Sequence, residues 1–312
     1  MKTNMINRTH IEGYLYEHDL TIKTTGKESK NPGTEFISGT ISIATDNDCL
    51  NVVPVHFTYV TAVTSKGAAN NTFTFLKNVI DGTVGTVMKV GKEAAGKVRI
   101  DSAIGLNDFY TDRSGTIELV SAKRNEGGFV HGVPSISEDE KTRNTFEADM
   151  LITGVTHQEA NEERQLGERA VVRGAIFDFR GALLPVDFIA KNPKAIAYFE
   201  GLGATNKTPV FTKVWGRQIS STVVTTYTEE SAFGEANVRE VSTSRKEWVI
   251  TGAAAEPYVW DDESTITAAE VQKASADREV YLSTVKQRYV EYKEGQKAAP
   301  AANTTTTGGF NF

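Results

Sequence analysis

The sequence predicts a mainly β protein with one long helix near its C-terminal end and a disordered tail. Apolar and polar residues alternate at the two-residue period of a strand from Ile11 to Tyr16, and again from residue 37 to residue 45. Short runs of the same kind recur between residues 145 and 260. Apolar residues at three- and four-residue steps, typical of a helix, follow between Val271 and Tyr292.

The first β-rich runs follow the order of a small barrel. Residues 11–16 predict strand one, in which Gly13 marks a bend or bulge that lets a sheet coil. Residues 20–35 are rich in Thr, Lys, Gly, Asn and Pro, so they predict a long polar hairpin leading to strand two at residues 37–45. Residues 51–60 predict strand three. A five-stranded OB barrel begins in this way.

The rest of this barrel is predicted from helical and strand periods. Phe73, Leu76, Val79 and Ile80 share one helical face, which suits a short helix between the third and fourth strands of an OB barrel. Residues 84–90 and 97–104 predict strand four and an elaborated hairpin. Residues 116–122 predict strand five.

Four segments also carry a family resemblance: Ile6-Asn7-Arg8, the small-residue strand at Gly13, residues 39–45, and the strand from Asn51 to Phe57. In order and spacing they resemble the OB fold of single-stranded DNA-binding proteins of the bacterial and phage type, over roughly residues 5–125. The resemblance implies sequence-tolerant binding and protection of single-stranded DNA, a role in phage DNA replication or recombination, and a C-terminal tail that recruits other proteins.

The second half repeats landmarks of the first half in the same order. Ile152-Thr153-Gly154 corresponds to Ile11-Glu12-Gly13, residues 173–176 correspond to residues 38–41, and residues 184–188 correspond to residues 53–57. The predicted helix at residues 194–202 corresponds to that at 72–80, and residues 213–217 correspond to residues 89–92. The gaps differ where hairpins would lie, and hairpins tolerate insertions. The pattern therefore favours an internal duplication and two tandem OB-fold barrels.

The predicted domains are a first OB fold at residues 1–125, an acidic linker at 126–144, a second OB fold at 145–260, a C-terminal helix at 261–295 and a flexible tail at 296–312. Thr267 and Glu270 predict a capping box at the start of the helix. Its apolar stripe, interrupted by Arg278, predicts docking on its own domain. Self-association into a homo-oligomer is the alternative.

Composition bounds the class of protein. The chain has 312 residues, 39% of them hydrophobic, without an apolar run of membrane-spanning length and without the apolar core of a signal peptide at its start. We therefore expect a cytoplasmic protein with no membrane partner, in the host cytoplasm if a phage encodes it. The single cysteine, Cys49, excludes an internal disulfide.

The formal charge of -6 is unevenly distributed. Residues 1–125 carry 14 basic and 13 acidic side chains, whereas residues 126–150 carry 2 and 6. The acidic excess lies largely in the linker and the C-terminal part. Residues 151–260 carry 12 and 13, so both predicted domains are near neutral, and the charge permits a basic groove for nucleic acid without requiring one.

Single-strand binding requires flat aromatic faces for base stacking and cations along the phosphate path. The candidate ring-bearing residues lie on or beside the predicted strands, and they are Tyr14, Tyr16, Phe36, His56, Phe177, Phe179, Trp215 and Trp248. The candidate cations nearest these strands are Lys89, Lys92, Arg173, Lys213 and Arg217.

The period of the strands orients some of these side chains. Alternation turns Tyr14, Tyr16 and His56 away from the core. The orientation of Phe177 and Phe179 stays open, because turning them outward would turn Asp178 inward.

Motifs for catalysis are not found in the sequence, and we expect no enzyme activity, no cofactor and no metal. The five histidines form no close pair, Asp46 and Asp48 lack the remainder of a calcium loop, and no nucleophile elbow occurs. The function favoured is single-stranded DNA binding. A virion structural or assembly protein built on OB-like barrels is the alternative, and an OB module for protein or sugar is a third.

The tail ends on Phe310 and Phe312 beside the terminal carboxylate, a pattern suited to capture in an apolar pocket near a cation. This pattern predicts an interaction with a partner or with the protein's own groove, and the family resemblance implies that the partners are replication or recombination proteins. A featureless solubilising tail is the alternative. The tail departs from the acidic ending of the bacterial type, because no carboxylate side chain lies near these two rings.

Overall fold

A computed structural model of the chain describes residues 5–162, 165–229, 233 and 237–298. Within these residues the strands are β1 (Asn7–His18), β2 (Thr21–Thr24), β3 (Glu35–Ala44), β4 (Val52–Thr61), β5 (Lys97–Thr111), β6 (Glu118–Gly132), β7 (Asn144–Gln158), β8 (Arg169–Phe177), β9 (Leu183–Ala190), β10 (Val210–Glu229) and β11 (Asn237–Ala253). The helices are α1 (Asn71–Ile80), α2 (Val87–Val90), α3 (Pro193–Gly201) and α4 (Ala268–Ala298). The protein is mainly β, as predicted.

The first half closes into a five-stranded barrel, here called barrel 1. β1 pairs antiparallel with β3 and β5, β3 pairs with β4, and β6 pairs with β5. The circle is completed by a parallel contact between β4 and β6, where Val55 lies opposite Asn125. In barrel numbering the strand order is 1-2-3-5-4-1, which is the OB fold.

The second half closes in the same order and is called barrel 2. β7 pairs with β8 and β10, β8 pairs with β9, and β10 pairs with β11. A parallel contact between β9 and β11 closes it, with Val249 opposite Ile189. The predicted fold class, two OB-fold barrels followed by a C-terminal helix, is confirmed. That the two arose by duplication stays a prediction.

The barrels share a seam and part of a core. β1 of barrel 1 pairs antiparallel with β7 of barrel 2. β5 contributes Val98 and Ile100 to the core of barrel 1, and then Ile104 and Leu106 to the core of barrel 2. One strand therefore belongs to both hydrophobic cores.

A reciprocal amide pair also crosses the seam. The buried Asn125 donates to Gln218 Oε1 at 2.9 Å, and Gln218 Nε2 donates back to Asn125 Oδ1 at 2.8 Å. Asn51 and Asn144 both donate side-chain hydrogen bonds to the backbone carbonyl of Gln218. These bonds satisfy buried polar groups where the barrels meet.

Helices α1 and α3 occupy the predicted place, between the third and fourth strands of their barrels. Each begins at an asparagine whose side chain caps the first turn, Asn70 accepting from Thr72 N at 3.1 Å and Asn192 accepting from Lys194 N at 2.9 Å. The two predicted helices are confirmed within one residue at each end.

The chain after barrel 2 packs against the outside of that barrel. Ile266 and Ala274 are buried with Leu151, Phe177 and Phe211 in a separate apolar cluster. The predicted capping box at the start of α4 is confirmed, because Thr267 N donates to Glu270 Oε2 at 3.0 Å and Glu270 N donates to Thr267 Oγ1 at 3.2 Å. α4 then continues to Ala298, three residues into the predicted tail.

The fourth strand of barrel 1 differs from the prediction. Residues 87–90 form the short helix α2, and Gly91 follows it in a left-handed conformation at φ 79°. A strand cannot continue through that turn, so strand four is β5, which was predicted as part of a hairpin. The proposed equivalence of residues 89–92 with residues 213–217 is therefore wrong, since the latter lie inside β10.

The predicted linker also begins too early. β6 runs to Gly132, and the adjacent glycines at 127 and 128 form a bulge inside it, with φ of 67° and 117°. A Cβ on Gly128 would lie 2.2 Å from the carbonyl oxygen of Asp101. The glycines allow close backbone approach in a strand, and the connection between β6 and β7 is residues 133–143.

Candidate nucleic-acid interface

The outer surface of β2, β3 and β4 presents aromatic and polar side chains together, and we call it the barrel 1 face. Lys23 lies opposite Phe36 in the β2–β3 ladder, so both side chains project from the same side of the sheet. The Phe36 ring contacts that of Tyr59 on β4, with centroids 4.7 Å apart and planes inclined by 41°. The buried neighbour Ile37 points the other way, into the core.

His56 lies further along the same face. It is opposite Thr40, and the Thr40 hydroxyl and His56 Nδ1 are 3.3 Å apart. Burial, and then the charge of Arg124, lower the pKa of His56 below its usual value, while Glu126 and Asp19 act in the opposite direction. At neutral pH His56 is therefore an uncharged hydrogen-bonding group.

The far end of the face carries Tyr14. Its partner on β3 is Ala44, which alternates with Ser42 and Thr40 on the outer side of that strand. Lys92 Nζ lies 5.7 Å from the centroid of the Tyr14 ring and donates to the backbone carbonyl of Asn47 at 2.9 Å. A cation and an aromatic ring thus lie side by side at this end.

A large groove continues from the other end of the barrel 1 face. Its volume is about 1070 Å³, and it lies between β4, β5 and β6 of barrel 1, the β8–β9 turn of barrel 2, and α4. Thr58, Tyr59 and Thr61 line it and also belong to β4. The face and the groove are therefore one continuous surface.

Exposed aromatic side chains line the groove on four of its five walls. Tyr59 comes from β4, Phe129 from β6, Phe179 from the β8–β9 turn and Tyr281 from α4. Their exposed fractions are 49%, 71%, 89% and 49%. A single exposed ring is common on a protein surface, but several exposed rings around one groove are typical of an interaction site.

The turn that carries Phe179 is held rigidly by Asp178. The Asp178 carboxylate accepts from the backbone N–H of Arg180 at 2.8 Å and from that of Ala182 at 2.7 Å. Gly181 follows with φ 83°. The guanidinium of Arg180 lies 5.0 Å from the centroid of the Phe179 ring, so a ring and a cation project together into the groove.

Arg180 is the groove cation best placed for a phosphate. Arg124 is paired with Glu126 at 2.7 Å, and Arg278 is paired with Asp108 at 2.8 Å. Arg180 forms no ion pair with any residue that the structure describes, and it is exposed.

Several predicted site residues lie elsewhere. Phe177 is fully buried in the apolar cluster under the C-terminal segment, and Trp248 is 7% exposed in the core of barrel 2, where its ring centroid is 5.4 Å from that of Phe146. Neither can offer a ring face to a base, so their prediction as binding residues is corrected. Strand β8 ends at Phe177, which is why Phe179 can point outward without turning Asp178 into the core.

Trp215 and Lys213 lie on β10 near the seam rather than in the groove. Lys213 is ion-paired with Glu147, which also pairs with Arg8 at 2.5 Å. Trp215 is 40% exposed, and its indole covers Gly252, where a Cβ would lie 2.4 Å from the ring.

The remaining predicted residues are dispersed. Tyr16 lies at the β1 bulge, Lys89 is exposed on α2, Arg173 is exposed on β8, and Arg217 is half-buried on β10 opposite Val249. Phe310 and Phe312 lie outside the described residues. The structure thus brings Phe36 and His56 of the predicted set together on the barrel 1 face, Tyr14 and Lys92 to its far end, and Phe179 to the groove.

Sequence reasoning missed four groove residues: Tyr59, Phe129, Arg180 and Tyr281. Tyr59 follows Phe57 by two positions in the β4 pattern and reads as core, but Thr58 and Tyr59 both face Ser38 at a bulge. Phe129 follows the two glycines that were assigned to the linker. The signal available in the sequence for Tyr59 was the Thr58-Tyr59 step, and for Phe129 it was the preceding pair of glycines.

Two searches of the described residues give negative results. In this part of the chain no group of three or more His, Cys, Asp and Glu side chains is arranged to hold a metal ion. Within the same residues no helix is long and apolar enough to span a membrane.

Comparison with solved structures gives several likenesses, and two of them are described below. A crystal structure of a deletion mutant of the single-stranded DNA-binding protein from Thermus aquaticus has a TM-score of 0.46 and 10% identity, covering 84% of this chain and 98% of that one. A replication protein A heterotrimer bound to single-stranded DNA has a TM-score of 0.23 and 9% identity, covering 88% of this chain and 70% of that one. Both scores are low, and the fold is assigned from the strand pairing of the chain itself.

No curated protein matches the chain. The profile of one protein family, YorF, matches residues 6–288, which is most of its length. The chain therefore belongs to the YorF family.

Proposed function

We propose that the protein binds single-stranded DNA along the barrel 1 face and the adjoining groove, without sequence preference and without catalysis. The observation that carries the proposal is the set of four exposed aromatic side chains around one groove. Stacking of a base on an aromatic ring contributes roughly 1–3 kcal/mol, and any base can stack because every base has a flat face. Four rings on one path suit an unpaired strand.

The positive charges along this path favour the binding of a polyanion. Lys23 and Lys92 lie beside the rings of Phe36 and Tyr14, and Arg180 lies beside Phe179. The net charge of the chain is -6, so the attraction is local. We propose, from the family resemblance of residues 5–125, that the bound strand is an intermediate of DNA replication or recombination.

The experiment is a titration of the full chain with fluorescein-labelled oligo-dT, read by anisotropy at several salt concentrations. Phosphate contacts predict that log affinity falls linearly with log salt. Phe179→Ala and Phe129→Ala should each weaken binding about tenfold, which corresponds to the loss of one stacked base. Trp215→Leu is the matched control, because it removes an exposed ring outside the groove.

The proposal fails if the parent chain does not bind oligo-dT at low salt, or if the two groove variants and the control all bind as the parent does. Equal affinity for a duplex of the same length would also contradict it, since paired bases cannot stack on the rings.

A further inference from the structure

The two barrels have the same strand order, but their equivalent outer faces differ in chemistry. On barrel 2 the equivalent face is formed by β8 and β9. Among the described residues of these two strands, the outward positions are Val171, Arg173, Ala175 and Phe177 on β8, and Leu183, Pro185, Asp187 and Ile189 on β9. Phe177 is the one aromatic residue of this set, and it is fully buried.

Phe177 is buried because the chain itself covers that end of the face. Ile266 and Ala274 of the C-terminal segment pack on Phe177 and Leu151, with Leu183 and Trp260 at the border. Tyr258 is anchored nearby by a hydrogen bond from its hydroxyl to Asp149 at 3.0 Å and by its contact with the Phe211 ring at 5.1 Å. An apolar contact of this kind excludes water. Opening it to admit a single strand of DNA would expose these apolar side chains, which is unfavourable.

Most charged groups on or beside the rest of the barrel 2 face are paired with a group of opposite charge. Arg173 lies opposite Asp187, which is ion-paired with Lys123 from barrel 1. Beside this face, Glu247 pairs with both Arg169 and Lys191, and its Oε2 lies 2.6 Å from Lys191 Nζ. Lys123, Arg169 and Lys191 are therefore held by carboxylates, and Arg173 lies beside the Asp187 carboxylate in the ladder, so this face offers little positive potential for phosphate.

The loops that flank the two faces have opposite charge. The β1–β3 connection of barrel 1, residues 19–34, contains three Lys and two acidic residues. The equivalent β7–β8 connection of barrel 2, residues 159–168, contains four Glu and one Arg. Glu159 and Glu168 lie 3.5 and 3.3 Å from His157 Nε2. A phosphate backbone is attracted to the first loop and repelled by the second.

We infer that each chain binds one single strand on one asymmetric path: barrel 1 supplies the face, barrel 2 contributes only its 178–182 turn, and the outer face of β8 and β9 does not bind DNA. The inference rests on the proposed function and specifies a stoichiometry of one DNA strand per protein chain. Barrel 2 is then the scaffold that holds Phe179 and Arg180 against barrel 1.

The test uses the full chain and a labelled dT oligonucleotide of about 10 nucleotides, within the range that one OB barrel accommodates. Titration at protein concentrations well above the dissociation constant, together with native mass spectrometry, gives the number of oligonucleotides per chain. We expect one. The charge reversal Arg180→Glu should weaken binding about tenfold or more, and the matched reversal Arg173→Glu on the barrel 2 face should change it less than about twofold.

Two oligonucleotides per chain would overturn the inference and leave the proposed function standing. A loss of affinity in Arg173→Glu equal to that in Arg180→Glu would do the same. Absence of any binding by the parent chain would overturn the proposed function instead. Both substituted residues are exposed, and thermal melting of each variant establishes that it is folded before binding is compared.

Discussion

Arg278 on α4 makes two hydrogen bonds to Asp108 on β5, from Nη2 to Oδ1 at 2.8 Å and from Nη1 to Oδ2 at 3.2 Å. Their side chains are 10% and 3% exposed. Removal of the arginine leaves a buried carboxylate without its counter-ion, so Arg278→Ala should lower the free energy of unfolding by about 3 kcal/mol. Urea denaturation followed by circular dichroism measures this loss.

Lys293→Ala on the same helix provides the control. Lys293 pairs with Asp112 at 2.9 Å, but both side chains are far more exposed than the Arg278 pair. Water and salt screen such a pair, and its loss should change stability little. Equal effects of the two substitutions would contradict the assignment of α4 as a helix fixed to barrel 1 through Arg278.

Trp215 should report on the seam and not on DNA. Trp248 is buried and Trp260 is half-buried, whereas Trp215 is 40% exposed. Iodide should therefore quench mainly Trp215, and Trp215→Phe should remove most of the quenchable fluorescence while leaving oligo-dT affinity unchanged. A drop in affinity would place the strand across β10.

Lys92 lies at the opposite end of the barrel 1 face from the groove. The part of β3 between Phe36 and Ala44 alone spans about 26 Å at the rise of a strand. Lys92→Ala should thus weaken binding of an oligonucleotide of about 20 nucleotides and make its salt slope shallower by about one, without affecting one of about five. Anisotropy titrations at two lengths measure this, and an equal effect on both would show that the path does not run the length of β3.

His157 should make stability depend on pH. The hydrogen bond to Glu200 raises the pKa of His157, and the charges of Glu200, Glu159 and Glu168 act in the same direction, while burial opposes them. Because the folded pKa lies above the unfolded value, the stabilisation is complete below a pH of about 6.5 and is lost as pH rises through the folded pKa. His157→Gln should cost stability at pH 5.5 and little at pH 8.5, as measured by urea midpoints. A constant difference would exclude this linkage.

The sequence was sufficient to predict elements whose signal is local. Strand periodicity located β3 and β4, apolar faces and caps located α1 and α3, and the Thr267–Glu270 pair located the start of α4. The sequence was misleading where a pair of glycines is compatible with two different structures. The same Gly127 and Gly128 suit a linker or a bulge, and only the close approach of Asp101 decides between them.

The candidate site was predicted only in part, because a local pattern orients a side chain on a strand but does not show which distant segments meet. Phe36 and His56 lie on a regular face, so alternation oriented them. The groove, however, is made by segments far apart in sequence, and no local pattern shows that Phe129, Phe179 and Tyr281 meet there. The division of the chain into two domains and the role of the tail stay predictions.

Strand β5 couples the stability of the two barrels. Val98 and Ile100 fill one hydrophobic core, while Ile104 and Leu106 fill the other. A fragment cut at residues 133–143 would leave the first half with bare apolar side chains and the second with a cavity in their place. Denaturation should therefore be a single cooperative transition rather than two, and neither half is expected to be soluble when expressed alone.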